Sequence, residues 1–577
     1  MAACRRRQAS GTCIYSRVVL LFRCCRHFPI LCFSVAHSMA NIMTRHVVCI
    51  GAGFVGGPFG AMIAYQCPDT LVTIVDKDQR RIDAWNSDSL PMYEPGLEDV
   101  LSSIRRRPTQ IAHPESGEDL SNLRFSTEIE QAISDADIIV LCIDTPTKSF
   151  GIGKGLAPDL ANIQAAVRTI ARVATSDKIV VEKSTVPCGT AELIRDLLES
   201  GSSQQVRFEV LSNPEFLSEG TTITDLLHPS RVLIGCQQTP SGQKAAAALS
   251  AIYEAWVPRD RIKTMDCWSS ELSKLAANAM LAQRLSSINS LSAICEAVGG
   301  DIDSLSMACG LDPRLGPNML KSSLGWGGGC FEKDVLDLVY IARTLGLDTV
   351  ANYWASVVEM NNEQKTRFLR RILSSMHGSV RGKSIAIMGF AFKKNTSDTK
   401  QSPAIPVVRG LLAEGARISI YDPMVPSTTI LADLAPLSDR ELAQIHICKT
   451  AYDACDNADA VAIVTEWDEF RMTETRKRSS TQSTLTDDEQ DWTAQQPPTS
   501  RCLTPDSEEN LFMVPPATRE PVDWEHIVNG MQSPKFVFDG RNILPGERMQ
   551  MLGCRYVRVG RMSEWDAVRM NRYPFSG

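Results

Sequence analysis

The stretch from His46 to Asp76 limits what this chain can fold into more than any other. His46–Ile50 reads as a short apolar strand, and Gly51-Ala52-Gly53-Phe54-Val55-Gly56 follows as G-x-G-x-x-G. An apolar helix then continues through Ile63 and Ala64, and Leu71–Val75 alternates as a second strand that ends on Asp76. Each glycine has its own physical purpose. Gly51 makes the turn, Gly53 lets a pyrophosphate approach the backbone, and Gly56 lets the helix pack, while Asp76 faces the adenosine ribose hydroxyls. Alone, G-x-G-x-x-G is a weak signal. With strand, helix, second strand and acid in register it predicts a dinucleotide-binding unit, and the acid favours NAD over NADP.

At 577 residues the chain is too long for one core and suggests three or four domains. A formal net charge of -7 argues against a nucleic-acid surface, and no basic stripe interrupts the rest. The 18 cysteines are scattered without a C-x-x-C pair, so neither a disulfide framework nor a zinc site is written, and no metal is expected. They read as reduced thiols of a cytoplasmic protein with a small-molecule partner, no nucleic acid and no membrane. Residues 1–45 stand apart: they are arginine-rich, and no acid occurs before Asp69. Their apolar patches are too short to span a bilayer. An upstream extension with Met39 or Met43 as working start is favoured over a targeting segment, because no apolar run with a small-residue cleavage site follows.

Two further strands, at residues 138–143 and 179–182, run into the polar turns Asp144-Thr145-Pro146-Thr147 and Lys183-Ser184-Thr185-Val186-Pro187. Ligands of open α/β sheets sit at the carboxyl ends of strands, so these turns should border the nicotinamide. A third exit, residues 210–220, carries Glu215 and Glu219, which are either functional or merely solvated loop acids. A long helix over residues 269–298 places Lys274 and Asn278 four apart on one face. They could hold an oxyanion or a sugar hydroxyl; equally, Lys274 could be a surface cation paired with Glu271.

Residues 325–334 read Gly-Trp-Gly-Gly-Gly-Cys-Phe-Glu-Lys-Asp, with a helix from Phe331 to about Leu345. Glycines there let a ligand lie against the backbone, and Cys330 in a first helical turn meets free N–H groups that favour its thiolate. The plain alternative is a tight loop and a packed cysteine. From Lys383 a second α/β unit begins, with one glycine of the fingerprint and Lys393 and Lys394 at its first strand exit. Between about residues 471 and 520 the composition turns to Ser, Thr, Gln, Pro and Asp, a disordered insertion by its lack of apolar period. It is flanked by residues 460–464 and 535–538, which read as neighbouring strands.

A nicotinamide site together with a nucleophilic cysteine and a Lys/Asn pair points beyond a single alcohol oxidation. An aldehyde formed first can be captured by the thiolate as a thiohemiacetal, oxidised to a thioester and opened by water, consuming two NAD. Asp334, four positions after Cys330, shares its helical face and could move a proton. The motifs at residues 51–56, 183–187, 213–217, 272–278 and 327–334, in that order and spacing, resemble the UDP-glucose/GDP-mannose dehydrogenase family from about Val47 onward.

That resemblance implies a four-electron, NAD-dependent oxidation of UDP-glucose to UDP-glucuronate. Catalytic roles would fall to Cys330, Lys274, Asn278, Asp334, Glu215 and Thr185. Cofactor contacts would come from Gly51, Gly53, Phe54, Val55, Gly56, Asp76 and Arg81, then Thr145, Thr147, Ser184, Thr185, Glu219 and Lys400. Lys400 stands where an arginine is usual, which keeps the charge and loses the planar fork. Substrate contacts would come from Glu215, Phe216, Leu217, Lys274 and Asn278, from Gly325, Trp326 and Gly327, and from Lys393 and Arg541, with Arg314 reaching a neighbouring subunit. A homodimer or higher homo-oligomer is implied, built on the central helix. The expected fold is two Rossmann-like doubly wound α/β domains joined by a long central helix and helical dimerisation region. The expected divisions are 1–45 as an extension, 46–262 for NAD, 263–380 central, and 381–577 for the UDP-sugar. Competing readings are a relative acting on GDP-mannose or UDP-N-acetylmannosamine, and a nucleotide-sensing scaffold that has lost catalysis.

Overall fold

A computed structural model describes residues 44–107, 121–202, 206–472 and 519–562. The expected extension before residue 44 and most of the expected insertion lie outside the described residues.

The first sheet contains β1 His46–Ile50, β2 Leu71–Val75, β3 Leu123–Ser126, β4 Ile138–Leu141, β5 Lys178–Glu182, β6 Phe208–Ser212, β7 Val232–Gly235 and β8 Ile262–Met265. Its order is β3-β2-β1-β4-β5-β6-β7-β8, parallel through β6, with β7 joined antiparallel at Ser212↔Gly235. The six parallel strands follow the doubly wound order, whose reversal lies between β1 and β4. Strand alternation sends Val47 and Cys49 into one apolar layer with Phe59 and Trp85, and Val48 and Ile50 into the opposite one with Ile163 and Val167. Helices therefore cover both faces, and the strands can be nearly all apolar. β4 ends two residues earlier than the apolar run suggests. Cys142 N still donates to Ile50 O, but Ile143 N turns to Ser184 Oγ at 2.8 Å, so the backbone leaves the ladder.

The central helix, Cys267–Val298, is capped by Asp266, whose side chain accepts from Ser269 N, and it ends on Gly299 at φ 80. It packs against two more helices, Gly329–Thr344 and Asp348–Ser375. Its small residues Ala279 and Ala282 allow that close approach, meeting Trp326, Val335 and Val357 in one cluster. The last of these helices serves two cores. Val357 and Val358 join the helical cluster, whereas Phe368 and Ile372, with Met376 at the C-cap, join the core of the second sheet.

That sheet holds β9 Ser384–Met388, β10 Arg417–Tyr421, β11 Ile445–Ile447, β12 Ala460–Ile463, β13 Phe536–Asp539 and β14 Arg555–Arg558, all parallel in the order β11-β10-β9-β12-β13-β14. The topology repeats that of the first sheet. β12 and β13 are neighbours, with Ala460 opposite Phe536, although the sequence between them departs from any apolar period. At its far end the C-terminal segment is tied to the central helix: Gly560 N donates to Glu296 Oε1 at 2.7 Å, and Arg367 and Arg371 pair with the same carboxylate.

Candidate active site

The glycine turn after β1 shows which glycines pack and which stay open. A Cβ on Gly51, whose φ is +108, would lie 2.3 Å from Cys142 O, and one on Gly56 would lie 1.9 Å from Gly51 O. At Gly53 nothing lies within 4 Å. Bare backbone is thus presented at Gly53, just before the helix Gly56–Gln66, in whose first turn Gly57 N donates to Gly53 O at 3.1 Å and Phe59 N to Val55 O at 3.0 Å. Asp76 closes the turn from β2: its Oδ2 accepts from Ala52 N at 2.9 Å and from Arg81 at 3.0 Å, and its Oδ1 from Asp78 N at 3.0 Å. Burial pushes its pKa up, but the backbone donors and Arg81 outweigh burial and hold it below the usual value. An open glycine at a helix start and an acid held below its usual pKa at the second strand fit a dinucleotide.

At the carboxyl ends of the next strands, Thr145 Oγ1 donates to Thr185 O at 2.7 Å and accepts from Lys333 Nζ at 2.6 Å. Lys333 belongs to the helix that begins with Gly329 and Cys330, so this contact fixes that helix against the first sheet. Ser184 is buried between Leu141 O and Ile143 N. Thr147 opens the loop beyond, where it bridges Pro158.

Cys330 is the second residue of its helix and open to solvent. Lys274 comes from the central helix, nearly enclosed at 3% exposure, and its Nζ lies 3.3 Å from Glu215 Oε1. The pairing with Glu271 considered from the sequence does not form: Glu271 instead accepts from Gly189 N and Ala191 N at 2.6 and 2.7 Å. Burial lowers the Lys274 pKa, but Glu215, Asp334 and Cys330 outweigh it and raise the value overall. One turn along, Asn278 Nδ2 donates to Asp334 Oδ2 at 2.6 Å. Asp334 is pushed up to about 6 by burial, against the pull of Lys274, Lys333 and Asn278. Glu215 is fixed by Leu217 N, which donates to its Oε2 at 2.6 Å, and the Phe216 ring lies under the Arg231 guanidinium at 3.8 Å. Cys330, Lys274, Asn278, Asp334 and Glu215 thus meet in one place from three elements far apart in sequence.

The expected thiolate at Cys330 is corrected by its surroundings. Although the residue is reachable by solvent, the protein mass around its thiol pushes the pKa up to about 11; Lys274 lowers it, while Asp334, Glu215 and Glu219 add to the rise. A helix start alone does not make this cysteine a standing thiolate.

The glycine stretch also packs closely against the loop after β9. A Cβ on Gly327 would lie 2.6 Å from Gln401 O and 2.9 Å from Phe392 Cβ, and one on Gly328 would meet the Phe392 ring at 2.9 Å. Gly328 N donates to Lys400 O at 2.9 Å. These glycines allow the loop after β9 to close on the cysteine segment. Gly325, at φ +131, sits over Asn361 and Lys365, and Arg541 Nη1 reaches its carbonyl at 3.5 Å. Arg541 further donates to Val464 O and Phe392 O, so it binds three segments together. The Trp326 side chain is committed to the helical core, where its Nε1 donates to Ser286 Oγ at 3.0 Å. Lys393 donates to Ser218 Oγ at 2.7 Å and faces Glu219, Glu94 and Asp225, which closes the second sheet's loop on the β6 exit. Thr396 Oγ1 donates to Glu219 Oε2 at 2.9 Å; burial first, then Asp398, push Glu219 up to about 7. Lys400 is exposed beside Gly329.

Arg314 stands outside this cluster. It is exposed on the loop after the helix Ile302–Gly310 and held by Asp312 at 2.6 Å. Sequence reasoning passed over Lys333, Glu94 and Asp337. Glu94 accepts from Gly220 N and Thr222 N at 2.8 and 3.2 Å and so shapes the loop carrying Glu219. Nothing in its local sequence marks it. Asp337 had a readable signal, since it follows Asp334 by three and shares its helical face.

Two doubly wound sheets around a helical centre, with a cysteine where the parts meet, define an oxidoreductase-type dinucleotide fold. Residues 45–257 match the NAD binding domain of the UDP-glucose/GDP-mannose dehydrogenase family, residues 268–363 its central domain and residues 386–488 its UDP binding domain. The chain belongs to that family. It is 44% identical to UDP-glucose 6-dehydrogenase 1 of Oryza sativa subsp. japonica, across 89% of this chain and 97% of that one. Identity to the Mus musculus UDP-glucose 6-dehydrogenase is also 44%, across 92% and 95%. Among solved structures, a UDP-glucose dehydrogenase from Pyrobaculum islandicum superposes with a TM-score of 0.67 at 25% identity, covering 90% of this chain and 98% of that one.

Proposed function

We infer that this chain is an NAD-dependent UDP-glucose 6-dehydrogenase, which oxidises the sugar's primary alcohol to a carboxylate in two steps. The observation that carries this reading is the convergence of Cys330 with Lys274, Asn278, Asp334 and Glu215 beside the carboxyl ends of the first sheet. NAD, when bound at the glycine turn, accepts the hydride in each oxidation. The protein's own groups do the rest.

After the first oxidation Cys330 Sγ adds to the aldehyde carbon, forming a C–S bond as its proton leaves. With a thiol pKa of about 11, that proton needs an acceptor, and Asp334, at about 6, is ionised near neutral pH. Negative charge develops on the former carbonyl oxygen. Lys274 supplies a buried ammonium there, and Asn278 has a second amide hydrogen beyond the one given to Asp334. Oxidation of this adduct leaves a thioester. Water, held with help from Thr185, then attacks its carbon and gives its proton to Glu215, and the C–S bond breaks as Asp334 returns its proton to the cysteine sulfur.

The division of labour assigns residues 46–262 to NAD, 263–380 to the catalytic centre and 381–577 to the UDP-sugar. Gly51, Gly53, Phe54, Val55, Gly56 and Asp76 hold the dinucleotide, with Arg81, Thr145, Thr147, Ser184, Glu219 and Lys400 around it. Phe216, Leu217, the Gly325 segment, Lys393 and Arg541 hold the substrate. Exposed Ile294, Val298, Met307 and Leu311 along the central region support a homo-oligomer, in which Arg314 completes a neighbouring site. No helix among the described residues is long and apolar enough to cross a membrane, and the scattered free thiols suit the cytoplasm.

Counting NADH per UDP-glucose tests the mechanism. Wild type should give two, and Cys330→Ser should lose net turnover by more than about a thousandfold. A yield of one NADH with free aldehyde would rule out the covalent route. GDP-mannose or UDP-N-acetylmannosamine turned over much faster would displace UDP-glucose as substrate.

A further inference from the structure

We propose that Glu94 is a positioning residue for the reaction inferred above: it pins the turn at residues 218–222, onto which the loop after β9 closes. By doing so it keeps Lys393 in place for the sugar nucleotide, a part that Lys393 takes from that functional reading. Glu94 lies in the segment before the helix Leu97–Arg106 and is 5% exposed. Its carboxylate reaches a turn 126 positions away, where Oε1 accepts from Gly220 N at 2.8 Å and Oε2 from Thr222 N at 3.2 Å. Two bonds from one carboxylate to backbone N–H groups hold the course of the chain itself, and the charge makes them strong.

The opposite side of this turn meets the second unit residue by residue. Ser218 Oγ accepts from Lys393 Nζ at 2.7 Å, and Glu219 Oε2 accepts from Thr396 Oγ1 at 2.9 Å. Gly220, at φ +79, backs onto Asn395, whose carbonyl oxygen would lie 2.7 Å from a Cβ there. Three consecutive residues of the turn thus form a seam with the loop at residues 393–396. Asp225 also holds the turn, accepting from Ser218 N at 3.0 Å and Thr221 Oγ1 at 2.9 Å, but it belongs to the helix Thr222–Leu227 that the turn itself opens. Glu94 ties the turn to a different part of the first unit. Charge points the same way: burial lowers the Lys393 pKa, and Glu219, Glu94, Asp225 and Glu466 act against it, so the ammonium sits among acids on both sides of the seam. Glu215, upstream of the turn, has its own holders in Leu217 N and Lys274. Loss of the Glu94 contacts should therefore displace the seam and leave that acid in place.

Glu94→Gln keeps the shape but turns one acceptor into an NH₂ group facing a backbone donor. The KM for UDP-glucose should rise about tenfold, with kcat within about twofold of wild type. In a Lys393→Ala background the same substitution should raise KM no further, because residues acting through one network are not additive. A merely structural carboxylate would lower stability without that dependence on Lys393. Hydrogen exchange without substrate reads the seam directly. Backbone amides of residues 392–400, far from Glu94 along the chain, should exchange about tenfold faster in Glu94→Gln. Unchanged exchange there, an unmoved KM, or an equal rise of KM in both backgrounds would overturn the inference. Absence of NADH formation from UDP-glucose by wild type would overturn the functional reading alone, and the exchange comparison would still decide the seam.

Discussion

Asn278 donates to Asp334 Oδ2 over 2.6 Å, while the other oxygen of that carboxylate is buried without a donor. Lys274 and Lys333 do most to keep Asp334 ionised beside Cys330, and this amide adds to them. Asn278→Ala should raise the Asp334 pKa above about 6 and shift the acid limb of activity to higher pH. Because the same amide has a hydrogen to spare for a developing oxyanion, kcat should also fall by about 10²–10³-fold. A pH–rate profile of this variant beside wild type checks both effects. At this scale the sequence was half legible. The four-residue spacing of Lys274 and Asn278 put both on one face, and the same spacing joined Asp334 to Cys330. The partner of Lys274 was not legible. Glu271 is near it in sequence, but Glu215, 59 positions away, is the residue it meets.

Among elements, the stretch 325–334 shows how one pattern can serve two purposes. Glycines before a cysteine are chemically suited to ligand approach, yet Gly327 and Gly328 face Phe392, Gln401 and Pro403 of the loop after β9. Gly327→Ala would drive a Cβ against the Gln401 carbonyl, a backbone atom that cannot rotate away. We expect a loss of about 1–3 kcal/mol in a urea melt, with the KM for UDP-glucose raised as the two parts separate. Gly56→Ala has a harder obstacle, the Gly51 carbonyl at 1.9 Å, and there the expected result is loss of NAD binding by titration calorimetry. The acids that end the second strands of the two units, Asp76 and Asp422, act alike. Asp76 holds Ala52 N, and Asp422 holds Phe390 N and Ala391 N at 2.6 and 3.0 Å. The second unit thus retains the turn-closing acid of the fold while presenting a different fingerprint.

The whole molecule is joined by a few charged contacts that bridge distant segments. Glu296, near the end of the central helix, accepts from Arg367, Arg371 and Gly560 N, and Arg558 pairs with Asp301 at 3.1 Å just beyond that helix. Glu296→Ala would leave two largely buried guanidinium groups without this partner. The expected destabilisation is about 3 kcal/mol, read as a lower Tm and faster proteolysis after β14. Lys333, Lys393 and Arg541 do similar work around the cysteine, each crossing between elements that carry different parts of the proposed site.

Periodicity and punctuation determined the elements. Both doubly wound units, the long helix with its Gly299 end and the helix behind Cys330 follow from local apolar spacing and turn residues, which act over a few positions. The tertiary structure decided what those elements do to one another. It placed Glu215 on Lys274, set a closing loop rather than an open cleft against Gly327 and Gly328, sank the Trp326 side chain into a core, and held the Cys330 thiol near 11. Each of these depends on burial and charge contributed by residues tens or hundreds of positions away. Electrostatic and steric interactions act through space, and a one-dimensional pattern records only the neighbours along the chain.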